Sequence, residues 1–323
     1  MPRIQFLDLR KTPIWVPFGA AALALCAAAL HPEVASGSLA DFLSETVGGD
    51  TIEYLAYALG SFSLFWVICH RWLAKRQLSR RRWPRFAQVK RELLFSLCAQ
   101  FTMTGIGVWL TFGTTEAVSN LYPNIADYGW GYFALFVFAL FVIDDTTFYW
   151  SHRLMHHPKL YRAFHRVHHE SVDPTPFTAY SFHPLEAAML SLGSLAMMPL
   201  LMFLPWHPLA LVVFGIGNIS FNVIGHLGYE LYPRGWNRIP VLRWKTPALH
   251  HYLHHQMVGG NYGLYFRWWD KMCGTEIANF EARYDRLFAS PASTRPPHSL
   301  HSGSTAGGES DPIISSEKDF SNV

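Results

Sequence analysis

Charge is scarce in this chain. Asp, Glu, Lys and Arg together make up 15% of its 323 residues, against 50% hydrophobic residues. That balance excludes a disordered, solvated polymer and leaves little polar surface for an ordinary soluble enzyme. Cysteine is rarer still. Cys26, Cys69 and Cys98 sit in apolar stretches and Cys273 stands alone, so neither a disulfide framework nor a thiolate metal cluster is indicated. No internal repeat is present, and no glycine-rich dinucleotide fingerprint precedes a helix. Lys and Arg are absent between Lys11 and Arg71, between Arg91 and Arg153, and between Arg166 and Arg234.

Those gaps coincide with apolar stretches of spanning length at about 14–31, 53–70, 93–113 and 131–150. A further pair, about 185–204 and 206–225, is interrupted by Pro184, Pro199, Pro205 and Pro208, and reads as two spans or a re-entrant hairpin. The pattern predicts an all-α integral membrane protein with four to six transmembrane helices. The first stretch reads as a retained span, because no clear small-residue cleavage site precedes the acidic loop after it.

The cations that do occur are clustered. Arg71, Lys75, Arg76, Arg80, Arg81, Arg82, Arg85, Lys90 and Arg91 lie between the second and third stretches, while the loop at about 32–52 has only acids. The positive-inside rule then places the basic segment in the cytoplasm and the acidic loop outside. Following the spans along the chain brings the segments after 150 and after 225 to the cytoplasmic side. Anionic lipid head groups explain the basic run better than nucleic acid does. The expected location is the inner membrane of a bacterial cell or the endoplasmic reticulum of a eukaryotic one.

What the chain has in abundance is histidine in a particular order. His152-Arg-Leu-Met-His156-His157 is followed by His165-Arg-Val-His168-His169 and, much later, by His251-Tyr-Leu-His254-His255 with His250 in front. Ten of the 17 histidines lie in these boxes. Histidines at i, i+3 and i+4 project from one helical face. Three such faces offer about nine or ten nitrogens, more than one tetrahedral ion takes, which points to two metal ions. Neutral imidazole suits zinc, copper, iron and nickel alike, so ligand type does not choose among them. A His-Glu-x-x-His zinc protease is excluded, since Ser171, Val172 and Asp173 follow His169-Glu170. A metal-binding membrane protein without catalysis, such as a transporter, is the competing class, but its ligands belong within spans rather than at their ends.

The words HRLMHH, FHRVHHES, FHPLE, NVIGH and HHYLHH, with NYG and WDKMCGT after them, resemble the fatty acid hydroxylase/sterol desaturase superfamily over about residues 130–276. The flanking words lean toward its sterol desaturase branch. The resemblance implies a membrane oxygenase with two histidine-bound iron ions that uses O2 and two electrons to hydroxylate or desaturate a lipid. Zinc would be a substitute on overexpression, since it binds a nitrogen site more tightly than ferrous iron. The ligands carried over are His152 with His156 or His157, then His165, His168 and His169, then His226, then His251, His254 and His255. Where some relatives have a further histidine, this chain has Asn222, which would hold a bound water. Asp145, seven residues before His152 and nearly on its helical face, is the first candidate to orient a ligand ring, with Asp144, Glu186 and Asp270 behind it. His183 is read as a supporting donor, and Tyr265, Trp268 and Trp269 as anchors of an interfacial helix. With no haem module in the chain, electrons would come from a cytochrome b5-like or ferredoxin-like protein with its reductase. The expected organisation is N-terminal spans and basic loop at 1–130, a catalytic region at 131–283, and a disordered tail at 284–323.

Overall fold

The computed structural model of the protein describes residues 48–113 and 120–289. The stretch at 14–31, the acidic loop before Gly48 and the tail beyond 289 lie outside the described residues. Those that are described form an all-α structure; their only β pairings are isolated bridges such as Gln77 with Tyr229 and Lys245 with Phe266.

Four segments have the length and apolarity to cross a membrane: 48–68, 129–155, 184–203 and 208–225. The first comprises α1 (Gly48–Ser61) and a π-helical turn at Phe62–Ile68. Helix α2 is Phe86–Gly113 and α3 is Gly129–Met155. The expected span at 93–113 lies in α2, which is not among the four; its buried face carries Glu92, Ser96, Gln100 and Thr104, a polar stripe at four-residue spacing.

The proline-broken pair resolves into separate helices. α6 (Pro184–Gly193) passes through a 3-10 turn into α7 (Met198–Phe203), and α8 is Pro208–Gly225. Pro184, Pro199 and Pro208 each sit in a first helical turn, where the missing N–H costs nothing, and Pro205 lies between α7 and α8. His183 and His207 cap α6 and α8 by accepting the N–H groups of Leu185 and Leu209. No more than 28% of any spanning window is buried, and Phe138, Phe203, Val212 and Ile216 point outward. An apolar exterior of this kind suits hydrocarbon, not water.

The remaining elements are short and form a polar-cored cap: α4 (Pro158–Phe164), α5 (Arg166–His169), α9 (Ala248–Met257), α10 (Trp268–Met272) and α11 (Phe280–Arg286). Leu249, Leu253, Phe280 and Tyr284 pack together beneath α9. Helix α11 therefore carries ordered structure past the tail boundary expected at 284, because Tyr284 is fully buried in that cluster.

Candidate metal centre

Proline decides which histidines of the first box face inward. α3 ends at Met155 with His156 as its C-cap, and Pro158 opens α4. His157 is left in extended backbone between them, where its Nδ1 accepts the N–H of Lys159. His156 thus stays against His152, and His157, which the sequence left as an alternative, turns away from the cluster.

The nitrogens of nine histidines form two sets, each spanning at most 4.8 Å. The first comprises His152, His156, His165, His169 and His254; the second comprises His168, His226, His251 and His255. In the second box the i, i+4 pair His165 and His169 serves one set while His168 serves the other. In the third box His251 and His255 pair, and His254 crosses over. The short helices α5 and α9 therefore stitch both sets together, and His169 of the first set and His255 of the second lie 4.9 Å apart between ring centroids.

The hydrogen bonds fix what these rings can do. Nδ1 of His152 donates to the Tyr262 carbonyl, Nδ1 of His254 to that of Gly260, and Nδ1 of His226 to that of Asn222. Nδ1 of His165 donates to Glu186 Oε1 at 2.6 Å. A carbonyl only accepts, so those rings carry their proton on Nδ1 and present a bare lone pair at Nε2. Yet Nε2 of His152 stands 2.9 Å from that of His165, and Nε2 of His169 stands 3.0 Å from that of His254. In the second set, His226 Nε2 lies 2.9 Å from His251 and 3.2 Å from His168. Relief by protonation is opposed. Burial first, and then repulsion among the rings, holds His165, His168, His169, His251, His254 and His255 well below the ordinary imidazole value, His226 down at about 4 and His156 at about 2. Converging neutral donors fit metal ions. With nitrogen–metal bonds of about 2.0–2.1 Å, neighbouring ligands of one ion sit roughly 3.0–3.4 Å apart.

The carboxylates support this cluster from behind. Glu186 touches His165 directly. Asp145 is not the direct partner of His152 expected from helical register: its Oδ1 accepts the backbone N–H groups of Leu264, Tyr265 and Phe266, and its Oδ2 accepts Trp268 Nε1. It fixes the loop whose Tyr262 carbonyl anchors His152. Asp270 binds the N–H groups of Tyr262 and Gly263 and the Thr275 hydroxyl in the same loop, with His250 Nε2 at 3.6 Å. Burial pushes the Asp270 carboxyl up. His250 belongs to neither set. His183 caps α6, the helix that delivers Glu186. Asn222 donates its side-chain amide to the Ala179 carbonyl and supplies a backbone carbonyl to His226. Trp268, Trp269 and Tyr265 are not free interfacial anchors, because their polar atoms bond Asp145, Thr146 and Asp144.

Three ionisable residues, two of them buried and Lys245 partly so, had no distinguishing signal in the sequence. Glu92 accepts from Ser171, Thr175, Thr178 and Gln88, tying α2 to the segment after the second box. Glu230 accepts the N–H of Leu249 at the start of α9, and burial raises it to about 7. Lys245 lies over the Phe221 ring at 3.5 Å and is pushed down by burial to about 7, against the pull of Asp145.

Comparison with known proteins gives a consistent picture. Residues 137–275 match the family described as fatty acid hydroxylase. The chain is 32% identical over 201 residues to Delta(7)-sterol 5(6)-desaturase ERG3B of Gibberella zeae, covering 60% of this chain and 58% of that protein. It is 36% identical over 136 residues to methylsterol monooxygenase 1 of Rattus norvegicus, covering 42% and 44%. Over 194 residues it is 28% identical to lathosterol oxidase of the same organism, covering 58% and 61%. The chain thus spans less than two thirds of the length of these relatives. No solved structure matches.

Proposed function

Because its histidine-box region, residues 137–275, matches the fatty acid hydroxylase family, we propose that the protein is a member of it, an O2-dependent membrane oxidoreductase that hydroxylates or desaturates a sterol-like lipid. The observation that carries this reading is the pair of imidazole sets with their bare Nε2 atoms converging. The names of the relatives, a sterol desaturase and a methylsterol monooxygenase, support a sterol-like substrate.

In this reading the first set holds one iron and the second set the other, and when bound the pair supplies O2 activation and C–H abstraction. The chain's own part is positioning. Glu186, Tyr262, Gly260 and Asn222 each accept a hydrogen bond from an Nδ1–H, which fixes ring orientation and leaves the Nε2 lone pair for the metal. Neutral ligands hold the ions without adding negative charge, and burial keeps the imidazoles neutral. Phe148 and Phe182, packed at 5.1 and 5.0 Å on His152 and His168, exclude water on the side facing the spans.

The sets lie at the ends of α3 and α8, which the basic residues orient toward the cytoplasm. A cytochrome b5-like or ferredoxin-like donor with its reductase supplies the electrons there. Mass-spectrometric lipid profiles of cells with and without the protein test the reading. A lipid differing by one oxygen or by two hydrogens is expected with the wild type and not with His168→Ala. Identical profiles for the two proteins would reject it.

A further inference from the structure

A cleft between α2, α3, α6 and α8 leads from the spans to the histidines. Its floor includes Phe148 and Phe182, the rings that pack on His152 and His168. Met103, Leu190 and Leu264 supply hydrocarbon to the rest of its wall, Thr147, Ser151 and Asn222 supply polar groups, and Asp144, within α3, is the one acid in its lining.

Two adjacent acids near the end of an apolar span are expensive, so each needs an account. Asp145 has one: it is fully buried, and four N–H groups occupy its oxygens. Asp144 does not. Its Oδ2 accepts the Tyr265 hydroxyl at 2.7 Å and the Asn218 amide at 3.2 Å. Its Oδ1 receives no hydrogen bond from the described residues, and the carboxylate lines the cleft. The arrangement is held from behind, since Asn218 also donates to the Tyr265 oxygen at 2.6 Å and accepts from the Tyr180 hydroxyl at 3.3 Å. The result is a fixed acceptor on a mixed apolar and polar cleft whose floor packs on the histidines.

We propose that Asp144, positioned by Tyr265 and Asn218, is the subsite that binds a hydroxyl group of the lipid substrate. The inference rests on the lipid-oxidising function proposed above and names the polar group that substrate carries. An acceptor calls for a donor, and three kinds of donor or head group compete. A phosphate or carboxylate head is repelled by the acid. A cationic head would have to shed its water among Phe148, Phe182, Leu190 and Leu264, which is expensive. A neutral hydroxyl on a hydrocarbon skeleton suits both the acceptor and the apolar part of the wall. Asp144 then fixes which end of the lipid enters first.

The test is binding, not turnover. The full chain with its metal ions is reconstituted in phosphatidylcholine nanodiscs, kept anaerobic, and titrated with a 3-hydroxysterol and with its 3-O-methyl ether. Wild type is expected to bind the hydroxysterol about 10–100-fold more tightly, the range of one hydrogen bond to a charged group. Asp144→Leu should bind both sterols alike, at the level of the ether. Asp144→Asn keeps an acceptor without the charge, so its preference should shrink yet remain. It also covers the case in which the leucine variant fails to insert. Equal binding of the two sterols by wild type, no binding of either, or an undiminished preference in Asp144→Leu or Asp144→Asn would overturn the subsite. Metal content and lipid products are read separately, so such a result leaves the proposed oxygen chemistry standing. An absent lipid product would instead count against that chemistry.

Discussion

The two imidazole sets are built from the same boxes but are braced differently. In the first set, His152, His165 and His254 are anchored at Nδ1 by Tyr262, Glu186 and Gly260, so loop and helix converge on it from separate parts of the chain. In the second, the clearest anchor is local: His226 donates to Asn222, one turn back on its own helix. The first set also contains His156, the one ligand candidate that is not fully buried. The difference teaches that the first site depends on a carboxylate and on the 258–270 loop, whereas the second depends on the α8 terminus and on what α5 and α9 bring with them.

Removing one ring from each set gives the largest expected effect. His254→Ala and His168→Ala should each abolish lipid product while membrane insertion persists, and each should lower metal content by about one ion per chain. Loss of both ions from either variant would break the comparison by showing the sets to be one cooperative unit. Next, Glu186→Gln keeps the shape but removes the charge that receives the His165 proton. A change of this kind typically costs about 10–100-fold in metal affinity or activity. Competitive chelator titration should show that loss in one ion and little change in the other.

A pH effect follows in size, in the metal-free protein. Unfolded histidines titrate near 6.5, while those of the sets are held below that, His226 at about 4. Between these values the unfolded state binds more protons. Stability is therefore present above about 6.5 and falls as pH drops toward 4, by up to about 1.4 kcal/mol per pH unit for each such histidine. Thermal melts of chelator-treated protein should show the decline, and metal-loaded protein should resist it to lower pH. The smallest effect belongs to His157→Ala. It lies outside both sets and only caps α4, so metal content should not change and stability should fall by no more than about 1 kcal/mol.

These contrasts also mark what the amino-acid order could reveal. The helical character followed from apolar length and missing cations, as did the segments near 53–70, 131–150 and 185–225, while the expected span at 93–113 is not among the four spanning segments. The boxes stood out by their i, i+3 and i+4 spacing. The choice of His156 over His157 did not, because it turns on where Pro158 restarts the helix. Nor could periodicity divide the rings between two sets, since an i+3 neighbour lies on the same face yet serves the other set. Asp145 was legible as a neighbour of His152 by register. Its actual work, holding the backbone of Leu264, Tyr265 and Phe266, depends on an aperiodic loop 119 residues or more downstream. That loop is shaped by details with weak sequence signals. Gly260 is one of them: an added Cβ would come within 2.5 Å of the Thr275 carbonyl and displace the group that anchors His254. Glu92 sat unnoticed beside Lys90 and Arg91, because burial of an acid within a basic run is a tertiary fact.

The central claim is that two differently braced sets each hold one metal ion. Metal analysis of the full chain, purified anaerobically and quantified per folded molecule, tests it most directly. The account predicts close to two irons per chain, or two metal ions in total if zinc has entered on overexpression. Well-folded preparations that repeatedly hold no more than one metal ion of any kind would contradict it.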